Sequence, residues 1–368
     1  MKILVDENIP FAEETFGQHA DLERFHGRQL TPQMLVGAEA LVTRSITQVD
    51  ASLLSVCLPE FVGSCTIGTD HLDINYLEGA GICWTAAPGC NAQSVVDYAL
   101  SVLAVINAGS LPETVGIIGC GNVGGLLRER LLEIGCRLKV YDPFLFKDEI
   151  LELTDSLEEV MSCGLVCVHT PLTRRDQTEF PTEGMIDSPL LDNLPKGAIF
   201  LNAGRGGVIR ENDLIEFMSQ RPDVRVVLDV WENEPEISQQ LMSVVTLATP
   251  HIAGYSMEGK VRGTLQVYRK FCDYFSFAPS SVELLPPIAR KLKPGSVAEL
   301  LLQIYNPQVD MYRMRSASTL SSKEAKKTGS WFDELRKNYP DRREIASYGI
   351  EGEVSPKLSK FGFTSGRS

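Results

Sequence analysis

Thr114-Val-Gly-Ile-Ile-Gly-Cys-Gly-Asn-Val-Gly124, then a helical run, then Leu138-Lys-Val-Tyr-Asp142: this stretch decides the fold. Val115 to Ile118 is a short apolar run with β-branched residues, the pattern of a buried strand. It runs into Gly119-x-Gly121-x-x-Gly124. Val123, Leu126, Leu127, Leu131 and Ile134 then recur at helical spacing, Gly135 closes the helix, and a second strand from Leu138 to Tyr141 ends at Asp142. Strand, glycine turn, helix, strand and acid in this order form the dinucleotide fingerprint. Gly119 makes the turn, Gly121 lets backbone approach a pyrophosphate, and Gly124 lets the helix pack on the strand. The first helical turn, at Asn122 and Val123, presents free N–H groups to phosphate. Asp142 lies near the ~20-residue separation expected of the acid that binds the adenosine ribose. A carboxylate there repels a 2′-phosphate, so the expected cofactor is NAD rather than NADP.

The fingerprint begins more than 100 residues into a chain of 368, so another domain precedes it. The formal net charge of −13 opposes binding to nucleic acid or to an anionic membrane surface. The nine cysteines show no Cys-x-x-Cys pair or Cys/His ligand spacing. No metal is therefore expected, and reduced thiols suit a cytoplasmic protein. The opening Met1-Lys-Ile-Leu-Val-Asp6 goes straight into a strand without the shape of a signal peptide. The most apolar helix, Val95 to Ile106, contains Asp97 and is too short to span a bilayer.

Upstream, strands are expected at Ile3 to Val5, Ala40 to Thr43, Leu58 to Gly63 and Gly81 to Thr85, with a helix starting at Phe11 to Phe16. Strands alternating with helical stretches suggest a parallel sheet. Thr43-Arg44-Ser45 and the turn Ser64 to Asp73, which contains Thr66 and His71, follow strands; the C-terminal ends of such strands bind ligands. Asn91 to Ala108 reads as the helix that links this unit to the nucleotide domain. Downstream, four strands end in polar loops. Val166 to Thr170 leads into His169-Thr170-Pro171, and Ile199 to Asn202 into Ala203-Gly204-Arg205-Gly206. Arg225 to Val230 leads into Trp231-Glu232-Asn233-Glu234-Pro235, and Val245 to Ala248 into Thr249-Pro250-His251-Ile252-Ala253-Gly254-Tyr255. In a doubly wound sheet these ends line one crevice. A helix over about 256 to 277 is expected to return to the first domain. Leu284-Leu285-Pro286-Pro287 marks a boundary. Beyond it, helices near Val297 to Tyr305 and Ser330 to Asn338 with short strands between are expected, and a poorly ordered tail from Ser355.

Arg205, Glu234 and His251 at successive strand ends suit hydride exchange between a 2-hydroxy acid and a nicotinamide. The guanidinium fork of Arg205 can grip a carboxylate and never loses its charge. His251 can take and return the C2 hydroxyl proton near neutral pH. Glu234 can orient the imidazole and steady the imidazolium. Asp229, at its strand end, can meet the nicotinamide. His169 ends a strand and reads as structural or close to the cofactor; His71 stands where it can line a substrate site.

These motifs resemble the D-isomer-specific 2-hydroxyacid dehydrogenases over residues 1 to about 275. The matching pieces are Gly119 to Gly124, Tyr141-Asp142-Pro143, His169 to Thr173, Asn202 to Gly206, Asp229-Val230-Trp231 with Glu234-Pro235, and Thr249 to Gly254. The resemblance implies an NAD-dependent enzyme with Arg205, Glu234 and His251 as catalytic residues. It implies a Rossmann-type doubly wound cofactor domain (91–253) and a flavodoxin-like substrate domain (1–90 and 254–280). The cofactor residues would be Gly119, Gly121, Asn122, Val123, Gly124, Asp142, Thr170, Asp229 and Gly254. The opening Met1 to Pro10, the run His251 to Lys260, and a C-terminal extension with Phe332 to Tyr339 and Arg342-Arg343-Glu344 narrow the match. They point to one branch, which acts on a small phosphorylated 2-hydroxy acid and forms a homodimer through a small C-terminal α/β dimerisation domain (281–368). Arg44, Ser45, Thr66 and Tyr255 would then contact substrate. Arg342 and Arg343 would either reach the partner subunit's site and help hold the phosphate, or form a solvated helix end. The rival readings are a sibling enzyme acting on another hydroxy acid, such as 3-phosphoglycerate, and a non-enzymatic NAD-sensing regulator on the same scaffold.

Overall fold

The structure, a computed structural model, describes residues 1–280, 285, 291–323, 330–351 and 353–365. Of the expected boundary, Leu284, Pro286 and Pro287 lie outside the described residues. The chain divides into two compact units, Met1–Ala92 with Tyr255–Pro287, and Gln93–Gly254 with Ile288–Ser368.

The first unit is built on five parallel strands: β1 (Lys2–Asp6), β2 (Asp21–Phe25), β3 (Ala40–Thr43), β4 (Phe61–Ser64) and β5 (Cys83–Thr85). Their spatial order is β2-β1-β3-β4-β5, the flavodoxin-like order. Strand periodicity decides the two faces. Ile3, Val5, Val42 and Phe61 pack with Val267, Tyr268 and Phe271 of the helix Met257–Phe275. Leu4, Leu41 and Val62 point the other way, into a core with Leu72 and Leu77. Strand β2 escaped the sequence reading because it is a polar edge strand, Asp-Leu-Glu-Arg-Phe, with only Phe25 buried. The helix expected from Phe11 does not form. Phe11 takes a left-handed backbone (φ 57°), and the Thr15 hydroxyl donates to its carbonyl at 2.7 Å, leaving turns and one 3-10 turn, Phe16–Gln18.

The second unit carries a six-stranded parallel sheet: β6 (Thr114–Ile118), β7 (Arg137–Tyr141), β8 (Leu165–Val168), β9 (Ile199–Asn202), β10 (Arg225–Leu228) and β11 (Leu247–Ala248). Its order is β11-β10-β9-β8-β6-β7. The chain reverses direction across the sheet between β6 and β8, the switch point where such sheets bind ligands. The strand that extends beyond β7 in the Rossmann order is reduced to one bridge, Val140 with Leu153. Strands β8 and β9 are buried throughout, as expected of parallel strands covered on both faces. The linking helix runs Ala92–Ile106, and the fingerprint helix Asn122–Ile134 ends on Gly135 in the left-handed conformation (φ 103°).

A domain of its own is expected from the sequence at 281–368; the chain from Ile288 belongs to this second unit, and Met314, Trp331 and Phe332 lie in one core with Phe200, Leu228 and Trp231. Between the expected helices, found at Val297–Ile304 and Ser330–Lys337, lies a third helix, Pro307–Lys323, rather than short strands. Its mixture of polar residues over every face hides the helical period. The tail from Ser355 is not poorly ordered over its described part. Ser355 caps the helix Pro356–Lys360, Phe361 and Phe363 are buried, and Thr364–Ser365 (β13) pairs with Gly349–Ile350 (β12).

Asp97, in the linking helix, is buried; it accepts the backbone N–H of Ile345 at 2.8 Å and the Gln93 amide at 2.7 Å. Burial pushes its carboxyl up to about 7 against the opposing pull of those hydrogen bonds. An acid bound more tightly to its proton in the folded state stabilises the fold fully below its unfolded pKa near 4. That contribution is lost as pH rises through about 7. Asp97→Asn removes the ionisation; its oxygen can keep the Ile345 N–H, and its NH2 can donate to the Gln93 amide oxygen once that amide turns over. Relative to the parent the variant is expected to gain stability between about pH 5 and pH 8, read from urea midpoints. An unchanged difference across that range contradicts the assignment.

Candidate active site

Elements of the second unit bring the strand-end residues together. Gly119 closes β6 with φ 86°, a conformation that favours glycine. A Cβ on Gly124 would lie 1.9 Å from the Gly119 carbonyl oxygen, so helix and turn meet at a distance only glycine allows. The space beside Gly121 is open, with nothing within 4 Å of where a Cβ would stand. Asp142 accepts the N–H of Cys120 at 2.8 Å and of Phe144 at 3.1 Å, which ties the ribose-side acid to the glycine turn. Burial pushes the Cys120 thiol up to about 11, so this cysteine is no nucleophile. The Thr170 hydroxyl is buried and has no hydrogen-bond partner among the described residues. An open glycine turn at a helix N-terminus, an acid at the next strand end and an orphaned hydroxyl across the switch point fit a dinucleotide. His169 is half-buried, its two ring nitrogens have no hydrogen-bond partner among the described residues, and burial pushes the imidazole down to about 4.

The loops after β9, β10 and β11 converge. A Cβ on Gly206 would lie 2.0 Å from the Trp231 carbonyl carbon, so the Arg205 loop lies directly on the 231–235 turn. Asn202 donates to the Arg205 carbonyl at 2.9 Å, and the Arg205 guanidinium to the Gly204 carbonyl at 2.9 Å. Trp231 in turn donates from its indole to the Thr249 carbonyl at 3.0 Å. Glu211, which sequence reasoning missed, accepts the Glu232 N–H at 2.8 Å and fixes the turn from its outer side.

His251 Nδ1 lies 2.8 Å from Glu234 Oε2, while Glu234 Oε1 accepts the Trp231 N–H at 3.0 Å. Burial alone would raise the Glu234 carboxyl. The charge and hydrogen bond of His251, the charge of Arg336 and the Trp231 N–H outweigh it, and the group is held below the ordinary carboxylate value. The carboxylate is thus an anion that accepts Nδ1–H, which leaves Nε2 as the acid/base atom. The His251 side chain keeps 27% exposure against 17% for Glu234, so the imidazole is the member of the pair that reaches outward.

Asp229, read from sequence as a cofactor contact, has a second task. Its carboxylate accepts the Thr249 hydroxyl at 2.6 Å and the N–H groups of Ile252 and Ala253, each at 2.9 Å. Its own carbonyl accepts the His251 N–H at 2.7 Å. It holds the loop on which His251 stands.

Arg342 corrects the sequence reading. It is not a solvated helix end. It is 8% exposed and donates from Nη2 to the Ser94 hydroxyl at 2.7 Å and to the carbonyls of Ile252, at 3.0 Å, and Ala253. The apolar stem and the neighbouring Tyr305 and Tyr339 account for the burial, which a charge pair in sequence does not disclose.

The candidate substrate residues lie in the first unit. Arg44 follows β3 and donates from Nε to buried Asp6 at 3.1 Å, an acid that ends β1 and was not singled out from sequence. Ser45 is half-buried beside it. The Thr66 hydroxyl lies 2.9 Å from Ser64, whose hydroxyl also lies 2.9 Å from His71 Nε2, so buried His71 serves this network. Lys260 stands 5.3 Å from the Tyr255 ring centroid. Among the described residues no cluster of His, Cys, Asp or Glu could hold a metal, and no helix is long and apolar enough to cross a membrane.

Residues 109–253 match the family described as D-isomer specific 2-hydroxyacid dehydrogenase, NAD binding domain, and residues 287–362 match a domain of unknown function. Erythronate-4-phosphate dehydrogenase of Cellvibrio japonicus is 42% identical over 374 residues, covering 99% of this chain and 98% of its own. The protein of that name from Pseudomonas entomophila is 41% identical, with 98% and 97% covered. In fold the chain is similar to 3-phosphoglycerate dehydrogenase of Entamoeba histolytica with bound NAD+ (TM-score 0.64, 24% identity, covering 75% of this chain and 95% of that one). It is also similar to D-lactate dehydrogenase of Aquifex aeolicus with NAD and lactic acid (TM-score 0.62, 21% identity, 74% and 95% covered).

The orphaned Thr170 hydroxyl gives a test of the cofactor site. Thr170→Val keeps the shape and removes one donor. NAD affinity by fluorescence titration is expected to fall about fivefold, the worth of one net hydrogen bond, while thermal stability does not fall. Unchanged affinity contradicts a cofactor contact at Thr170.

Proposed function

Because the chain belongs to the erythronate-4-phosphate dehydrogenases, within the D-isomer specific 2-hydroxyacid dehydrogenase family, we propose that it oxidises 4-phospho-D-erythronate at C2 to (R)-3-hydroxy-2-oxo-4-phosphooxybutanoate. The reaction would belong to the biosynthesis of pyridoxal 5′-phosphate. The observation that carries the acid/base role is the 2.8 Å contact between His251 Nδ1 and the Glu234 carboxylate. NAD, held by Gly119 to Gly124, Asp142, Thr170, Asp229 and Gly254, supplies the hydride acceptor.

The chain's own residues divide the remaining work. Neutral His251 takes the C2 hydroxyl proton at Nε2, and the resulting imidazolium stays hydrogen-bonded to Glu234 through Nδ1. Arg205 grips the substrate carboxylate and steadies the developing carbonyl oxygen. Arg44 and Ser45 offer a cation and a hydroxyl to the phosphate, and Thr66 and Tyr255 complete the substrate contacts. Arg44 enters this role already oriented, since buried Asp6 fixes its Nε side and leaves the other guanidinium nitrogens to the ligand. Residues 281–368 would form the homodimer contact, and the protein would work in the cytoplasm.

NADH formation with 4-phospho-D-erythronate, 3-phospho-D-glycerate and unphosphorylated D-erythronate tests the assignment. The first is expected to exceed the others in kcat/KM by about a hundredfold or more, because a site built for a phosphate leaves buried donors unpaired without it. Comparable turnover of all three would remove the substrate assignment.

A further inference from the structure

His251 stands in a costly conformation. Its φ is 55°, the left-handed region, which a non-glycine residue keeps only if its surroundings over-determine it. The surroundings are two buried charges of opposite sign on the same two residues. Asp229, 1% exposed, accepts the N–H groups of Ile252 and Ala253. Arg342 donates to the carbonyls of the same two residues. In the peptide that joins Ile252 to Ala253 the anion meets the N–H and the cation meets the C=O, so both charges align with its dipole.

The cation is itself built in. Its Cζ lies 4.5 Å from the Tyr305 ring centroid and 5.9 Å from that of Tyr339. Both tyrosine hydroxyls donate to Asp310, at 2.9 and 2.8 Å. Ser94 accepts from Arg342 and donates to the Ala253 carbonyl at 2.8 Å, closing the ring of hydrogen bonds. Ile345, three residues on, is pinned through its N–H to Asp97. Tyr305, Asp310, Tyr339 and Arg342 all belong to the segment whose family match is a domain of unknown function.

We propose that Arg342 is a positioning residue for the reaction: by clamping the Ile252 and Ala253 carbonyls against Asp229, the C-terminal segment holds His251 in register with Glu234 within one chain. Arg342 touches neither substrate nor cofactor in this role. The inference rests on His251 and Glu234 being the acid/base pair.

A double-mutant cycle tests it. Arg342→Met keeps the length of the side chain and removes the donors. Its kcat is expected to fall about 10- to 100-fold, the usual cost of a small misplacement of a reacting group, while KM and the NAD dissociation constant stay within about threefold. In a Glu234→Gln background, where the pair is already broken, the same substitution is expected to cost less than about threefold. Arg342→Lys, which keeps one donor, should recover part of the rate. Equal losses in both backgrounds, or a loss in KM or NAD binding alone, would make Arg342 an ordinary structural residue and overturn the proposal. Should Arg342→Met fail to fold, Arg342→Lys carries the same cycle with the same sub-additive expectation. A Glu234→Gln single variant with unimpaired turnover would instead refute the acid/base pair itself.

Discussion

The carboxylate of Asp229 is the constraint on which the site depends. It ends a central parallel strand, it is buried, and its oxygens accept three donors from the 249–253 loop. A buried carboxylate is costly unless it is hydrogen-bonded, and here the donors that satisfy it are the backbone of the loop that carries the acid/base histidine. Folding of the sheet and posing of His251 are therefore one event. The strained backbone at His251 is the visible cost of this arrangement, and the hydrogen bonds on either side of it are its compensation.

Around that hub the loops support one another through backbone contact. The Arg205 loop rests on the 231–235 turn because Gly206 has no Cβ, and Trp231 joins that turn to the Thr249 carbonyl. The charge and hydrogen bond of His251, together with the charge of Arg336, hold the Glu234 carboxyl below its ordinary value against the effect of burial. Arg336 and Arg342 both come from the C-terminal segment, whose Trp331 and Phe332 lie in the core of the nucleotide-binding sheet. That segment thus contributes charge to the reacting centre of its own chain.

Much of this is legible in the sequence because parallel α/β architecture advertises itself. Apolar runs such as Val166-Cys-Val168 and Ile199-Phe-Leu201 end in polar loops, and the glycines at 119, 121 and 124 have no other economical explanation. Arg205, Glu234 and His251 could be joined in thought because strand ends converge, although no local pattern links them. What stayed hidden follows from interactions without a sequence period. The edge strand Asp21–Phe25 is polar, and the helix Pro307–Lys323 has no clear apolar stripe. The burial of Arg342 depends on Tyr305, Tyr339 and carbonyls ninety residues upstream, so the sequence does not disclose it. The second task of Asp229 was invisible for the same reason, since its partners are backbone N–H groups.

The tautomer of His251 tests the account most directly. If Glu234 accepts the Nδ1–H, then in protein labelled with 15N at histidine, above the pH at which the imidazole is neutral, Nδ1 carries the proton and Nε2 is bare. The His251 signals are assigned by their loss in His251→Gln. A bare Nε2 is the result predicted, since only that atom can take the hydroxyl proton. A proton on Nε2 with a bare Nδ1 would contradict the pairing with Glu234 and, with it, the acid/base role of His251.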